Sequence, residues 1–243
     1  MSRHLVKHSV ASAFQRLNHL VKNVGIVGTF SSLWWSVDDV YFRTFDRRYR
    51  VKTSGFLRLA ETGFDQSRLR DATQYGPANG WGFRKMLKQL KLSKQLSFVD
   101  FGCGLGRACF LAAEYGFAKV SGVELAPELC AGARQNISTV RLESGRASEI
   151  QILHMDVLKY LEITTDDVFF MFRPFSREFT GVVLNKLVER ARTLKKPFVI
   201  IYSERMAPND CYAPEFKSHK ALREISTINS HGQTFYIFEC AGK

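Results

Sequence analysis

The sequence predicts an α/β protein with a mainly parallel, doubly wound sheet and one antiparallel strand. Three observations predict it. From residue 98 onward, short apolar runs alternate with segments of helical periodicity, the pattern of repeated strand–helix units. The first run, Phe98–Phe101, leads into a glycine-rich turn, Gly102-Cys-Gly-Leu-Gly106. Near the end of the chain, Ala221–Ile228 and Thr234–Phe238 flank Asn229-Ser-His-Gly232, which reads as a hairpin. Right-handed crossovers between the parallel strands put helices on both faces.

The elements follow in order. Residues 1–74 form a basic, helical N-terminal extension, and 75–243 form the α/β domain. Val10, Phe14, Leu17 and Val21 share one helical stripe, and Arg3, Lys7, Arg16 and Lys22 precede the first acid, Asp38. Such a stretch suits a docking helix or a mitochondrial presequence. Leu33, Trp34 and Trp35 form an aromatic knot expected in a core. Residues 41–52 interleave Tyr41, Phe42, Phe45 and Tyr49 with Arg43, Arg47, Arg48, Arg50 and Lys52. Such rings either stack on bases or face inward beneath solvated charges. Tyr75-Gly-Pro-Ala-Asn-Gly-Trp81 reads as a loop. A helix follows, with Phe83, Met86, Leu87 and Leu90 on one face and Arg84, Lys88 and Lys91 on another. Strands are expected at Phe98–Phe101, Val120–Glu124, Ile150–Met155, Val168–Phe172 and Phe198–Tyr202, with helices near 107–115, 127–137 and 177–193. Pro127 suits a first helical turn.

Composition narrows the function classes. The chain has 243 residues, 45% of them hydrophobic and 24% charged, as in a folded globular protein. No apolar run is long enough to span a bilayer, so membrane insertion is not expected. The five cysteines contain no CxxC pair, which points to a reducing, cytoplasmic compartment rather than a disulfide framework or zinc site. Residues 1–97 carry 17 Lys/Arg against 6 Asp/Glu, while residues 98–243 carry 18 against 17. A basic front end of this kind suits an acidic partner, protein or RNA.

The chemistry concentrates at three strand ends. Asp100 precedes Gly102, Gly104 and Gly106, where glycines let the backbone turn and approach a ligand closely. A dinucleotide GxGxxG fingerprint would need glycine where Arg107 stands. A carboxylate at Asp100 suits a cationic ligand better than a pyrophosphate. Glu124 ends the second strand, where an acid can accept both hydroxyls of a ribose, and Asp156 ends the third.

Val99-Asp-Phe-Gly-Cys-Gly-Leu-Gly106, then Gly122-Val-Glu124, then Asp156 resembles the seven-stranded, class I S-adenosylmethionine-dependent methyltransferases over residues 75–243. The resemblance implies a Rossmann-like sheet of order 3-2-1-4-5-7-6 and S-adenosylmethionine as cofactor. It implies that Asp100 and the Gly102–Gly106 backbone, Cys103 included, hold the methionine part. Glu124 would bind the ribose and Asp156 the adenine amine, with Leu125, Val157 and Phe172 against the bound cofactor.

The fourth strand reads into Phe172-Arg-Pro-Phe175. Enzymes that methylate exocyclic base amines or glutamine usually carry Asn/Asp-Pro-Pro-aromatic there, and an arginine cannot accept a hydrogen bond. The loop also lacks the nucleophilic cysteine of cytosine-C5 enzymes. An acceptor that needs little help, a lysine amine, remains. Arg173, Phe175 and Tyr75 are the candidate catalytic residues, and Arg84, Lys88 and Lys91 a candidate substrate-binding face at the mouth of the site. Tyr75-x-Pro77, the helix after it and the glycine turn resemble protein lysine methyltransferases, among them Dot1-like enzymes and those that modify elongation factor Tu. This implies an acidic protein acceptor. An RNA methyltransferase and a non-catalytic cofactor-binding assembly protein remain the alternatives.

Overall fold

A computed structural model describes residues 43–55, 57–58, 60, 62–63, 65–142, 150–205 and 212–242. The expected presequence-like helix and the Leu33–Trp35 knot lie outside the described residues. Seven strands are present among the described residues: β1 (Ser97–Phe101), β2 (Lys119–Glu124), β3 (Ile150–His154), β4 (Val168–Phe172), β5 (Phe198–Arg205), β6 (Leu222–Ser230) and β7 (Gln233–Cys240). They form one sheet of order β3-β2-β1-β4-β5-β7-β6. β1 to β5 are mutually parallel, and β7 runs antiparallel to β5 and β6. The sheet order and the antiparallel seventh strand are those expected.

Seven helices among the described residues surround it: α1 (residues 43–49), α2 (Gly80–Leu90), α3 (Arg107–Tyr115), α4 (Pro127–Thr139), α5 (Val157–Ile163), α6 (Arg177–Leu194) and α7 (Ala213–Ser218). The alternation of side chains along β1 shows how both faces are buried. Val99 and Phe101 join a core with Phe169, Phe198, Leu184 and Leu187. On the other face, Phe98 stacks on Phe117 and Phe170, and Phe83 of α2 meets Phe170 edge-on at 5.0 Å. Each such fully buried ring contributes about 1.5–3 kcal/mol.

Two departures from the sequence reading have local causes, and one of its open alternatives is decided. β5 continues past Tyr202 because its polar residues are satisfied internally: Ser203 Oγ donates to the Thr234 carbonyl at 2.9 Å, and Glu204 accepts from Tyr212 N at 3.0 Å. The short helix α5 carries too few turns to show a periodicity, and is started by its Asp156 cap. In α1, Phe45 and Tyr49 are buried while Arg43, Arg47 and Arg48 are exposed. The rings at residues 45 and 49 therefore face inward and do not offer a base-stacking surface.

Candidate active site

A cleft of about 930 Å³, its open mouth included, lies at the carboxyl ends of β1, β2 and β4. Gly102 and Cys103 of the glycine turn form part of its lining. Gly102 and Gly104 adopt φ of 68° and 53°, the left-handed region that favours glycine. A Cβ on Gly102 would lie 2.5 Å from Pro174, and one on Gly104 would lie 2.2 Å from the Tyr75 ring. The turn is thus closed on two sides by protein. Gly106 begins α3, and the Cys103 thiol fills the space over Gly122, both buried.

Glu124 is 7% exposed and its carboxylate is held by three backbone N–H groups. Oε2 accepts from Gly104 at 2.9 Å, and Oε1 accepts from Leu125 and Ala126 at 2.9 Å each. Burial pushes its pKa up, and the three N–H bonds pull against that shift. The carboxylate therefore joins the glycine turn to the start of α4 and keeps one lone-pair direction for a ligand. Asp100, 4% exposed, also lines the cleft. Burial, and then the charge of Glu124, raise its pKa well above 3.8. Two nearly buried carboxyl groups in one cleft favour a cationic or hydroxyl-donating ligand.

Asp156 is engaged on both oxygens. Oδ1 caps α5 by accepting from Leu158 N at 2.8 Å, and Oδ2 receives Arg68 Nη1 at 2.7 Å. Arg68 belongs to a 3₁₀ helix, Gln66–Asp71, and lies over the Phe179 ring at 5.4 Å. The chain then runs along the loop after β4: Thr73 N donates to the Pro174 carbonyl, and Ser176 N to the Asp71 carbonyl, each at 3.0 Å. Residues 65–75 form a strap across the cleft, with Leu125, Val157 and Phe172 also in its lining.

The candidate catalytic residues are placed differently from one another. Phe175 lines the cleft, is 9% exposed and packs edge-on against Phe179. Tyr75 lines it through its ring, while its hydroxyl donates to the Thr53 carbonyl at 2.7 Å in the buried interior. Arg173 adopts φ of 41°, and its guanidinium lies over the Tyr212 ring at 4.8 Å, outside the cleft lining. Its carbonyl accepts from the Thr73 hydroxyl.

The expected substrate face is not brought together at the mouth. Helix α2 starts beside the cleft and runs away from it to its cap at Lys91, so Arg84, Lys88 and Lys91 do not converge on the mouth. Arg84 turns to Glu114 Oε2 at 2.9 Å and to the Tyr49 hydroxyl at 2.6 Å.

Sequence reasoning missed Arg68 and the Arg107 node. Arg107, 2% exposed, donates from Nε to Thr53 Oγ1 at 2.7 Å and from Nη2 to Asp46 Oδ1 at 3.2 Å. The available signal was the arginine itself, standing at the end of an otherwise glycine-rich turn. Arg68 gave none, because its partner is 88 residues away.

The family model described as histone methylation protein DOT1 matches residues 69–145, a minority of the chain. No curated protein matches. Among solved structures, the chain is similar to an RNA methyltransferase from Salinibacter ruber in complex with S-adenosyl-L-homocysteine. The identity is 19% and the TM-score 0.51, over 69% of this chain and 95% of that one. The fold is that of the class I S-adenosylmethionine-dependent methyltransferases. A putative O-methyltransferase from Klebsiella pneumoniae is similar at 12% identity and TM-score 0.53, over 87% and 99% of the two chains. A ribosomal protein L11 methylase from Lactobacillus delbrueckii subsp. bulgaricus is similar at 12% and TM-score 0.50, over 70% and 84%. At these identities the likeness is one of fold.

The cleft of this methyltransferase fold fits S-adenosylmethionine on its own chemistry. Asp100 offers a buried carboxylate to a cationic ligand, and Glu124 offers an anchored one to ribose hydroxyls. Leu125 and Val157 supply apolar lining for a purine. Asp156 fits the adenine amine only in company with Arg68, which already takes one of its oxygens.

Proposed function

We propose that the protein transfers a methyl group from S-adenosylmethionine to a lysine side chain of an acidic protein, such as elongation factor Tu. The observation that carries this reading is the apolar acceptor side of the cleft. Phe172, Pro174 and Phe175 line it at the end of β4, where enzymes acting on base amines place a hydrogen-bond acceptor. The cofactor supplies an electrophilic methyl group on a sulfonium. The chain's own residues supply position and desolvation. Glu124 and the glycine turn fix the ligand against β1 and β2. Phe172 and Phe175 exclude water from an incoming amine, which favours its neutral, nucleophilic form against an ordinary pKa of about 10.4. In-line alignment of amine and methyl then accounts for most of the catalysis. Arg173, held over Tyr212, has no role in this scheme.

The match of residues 69–145 to the model described as histone methylation protein DOT1 supports a protein acceptor. A second reading, RNA methylation, is favoured by the basic front end and by the similarity to the Salinibacter ruber RNA methyltransferase. Incubating cell lysate with radiolabelled cofactor separates them. Label that survives RNase and is lost to protease supports the protein reading, and the reverse pattern overturns it.

A further inference from the structure

The geometry points to an acceptor-docking platform built from Trp81 and His231, with Lys85 and Lys88 as its basic extension, for an acidic segment of the acceptor protein. This rests on the protein-acceptor reading above and adds the surface that would recognise it. Trp81 opens α2 and is 47% exposed, unusual for a tryptophan in a chain whose other described aromatics are largely buried. Its ring centroid lies 5.5 Å from that of His231, in the turn between β6 and β7. That turn is at the same sheet edge as the cleft, because Gln233 pairs with Arg205 at the carboxyl end of β5. The segment Gly76–Ala78, just before the helix, lines the cleft itself.

The platform is rigid. Asn79 Oδ1 accepts from Trp81 N at 3.0 Å and Gly82 N at 3.1 Å, while Asn79 N donates to Gln233 Oε1 at 3.1 Å. A Cβ on Gly82 would stand 3.0 Å from the Ser230 carbonyl, so the helix sits close against the hairpin. Ser230 Oγ lies 2.6 Å from His231 Nδ1 and fixes the imidazole. The ligand-anchoring residues Glu124 and Asp156 come from β2 and the end of β3, on the other side of β1. The β4–β5–β7 side is left for the acceptor, and Trp81 borders it.

Lys85 and Lys88 follow Trp81 at i+4 and i+7, on one face of α2. Both are exposed, and neither forms an ion pair among the described residues. An aromatic anchor at the cleft followed by a line of exposed cations matches a chain segment with an apolar residue near the target lysine and carboxylates beyond it. Among the described residues of the 41–52 stretch, Phe45 and Tyr49 are buried and add no exposed ring for stacked bases.

The test uses the full chain and a short fluorescein-labelled peptide of alternating Glu and Leu around one central Lys. Trp81→Ala should weaken its binding about tenfold. Lys85→Glu with Lys88→Glu should weaken it by about tenfold or more and flatten its salt dependence. Calorimetry with S-adenosylhomocysteine should give wild-type affinity in both variants, which also shows that they fold. Equal peptide binding by all three proteins, or none by the wild type, overturns the platform. Tighter binding of a labelled oligouridine, lost in the same variants, overturns the acidic-protein occupant. In lysate, protein label that is undiminished by the variants overturns the platform and leaves the protein-acceptor reading standing. RNase-sensitive label overturns both.

Discussion

Arg107 and Asp46 meet 3.2 Å apart beneath the cleft, and the arginine is almost fully buried. Asp46 also accepts from Thr53 N and Ser54 N at 2.8 Å each, and Arg107 lies over the Phe45 ring at 4.6 Å. Through this node the first residue of α3 grips the segment 43–55. That segment in turn takes the Tyr75 hydroxyl and so sets the ring that closes the glycine turn. Removing one partner strands a buried charge. Asp46→Ala should therefore cost about 3–5 kcal/mol in denaturant unfolding. Loss below about 1 kcal/mol would show that the segment does not depend on the pair.

The Tyr75 hydroxyl has a structural partner rather than a reacting one. Tyr75→Phe leaves the Thr53 carbonyl buried and unpaired, at a cost of about 1–3 kcal/mol. Turnover at a temperature where the variant is folded should stay near wild type. A large fall in kcat with unchanged stability would restore a catalytic role to this hydroxyl.

Gly104→Ala tests the glycine turn. Its methyl would meet the Tyr75 ring at a backbone φ of 53°. Cofactor binding measured by calorimetry should be abolished or strongly weakened. Combining it with Tyr75→Ala should recover only part of the loss, because the left-handed backbone remains unfavourable for alanine at about 1–2 kcal/mol.

Asp100 makes a pH prediction for the cofactor-free protein. Its folded pKa is raised above 3.8, so the native state holds the proton more tightly than the unfolded chain. The stability this group contributes is full below 3.8 and is lost as pH rises through the raised value. The melting temperature of Asp100→Asn should gain on the wild type as pH rises from 3.8 through that raised value. A constant difference would place no titration at this residue.

Arg68 ties the strap to Asp156 with both side chains partly exposed, 28% and 18%. A pair so placed contributes about 1 kcal/mol, or roughly fivefold. Arg68→Ala should raise the dissociation rate of S-adenosylhomocysteine by about that factor and speed amide exchange in residues 66–74. Unchanged exchange would show that Thr73 and Ser176 hold the strap unaided.

The strand ends were legible in the sequence because each carries its chemistry within a few residues. Asp100 to Gly106, Glu124 and Asp156 are local patterns, and Asp100, Gly102, Cys103, Glu124 and Asp156 line the cleft. The front of the chain was less legible. Charge alone cannot tell an exposed Lys88 from Arg84, which is folded onto Glu114 on a neighbouring helix.

By itself the sequence determined the alternation of strands and helices, the seven-stranded order implied by its motifs, and the three acids aligned with a glycine turn. The alternation rests on periodicity and the turn on backbone conformations that glycine favours, while the strand order was what the family resemblance implied. Only the tertiary structure decided what each group faces. It turned the Tyr75 hydroxyl inward to Thr53, drew Arg173 over Tyr212, gave Asp156 the partner Arg68, and left Trp81 exposed beside His231. These pairings join residues from 22 to 150 positions apart. Burial and hydrogen-bond satisfaction select among such partners only once the chain has closed around them.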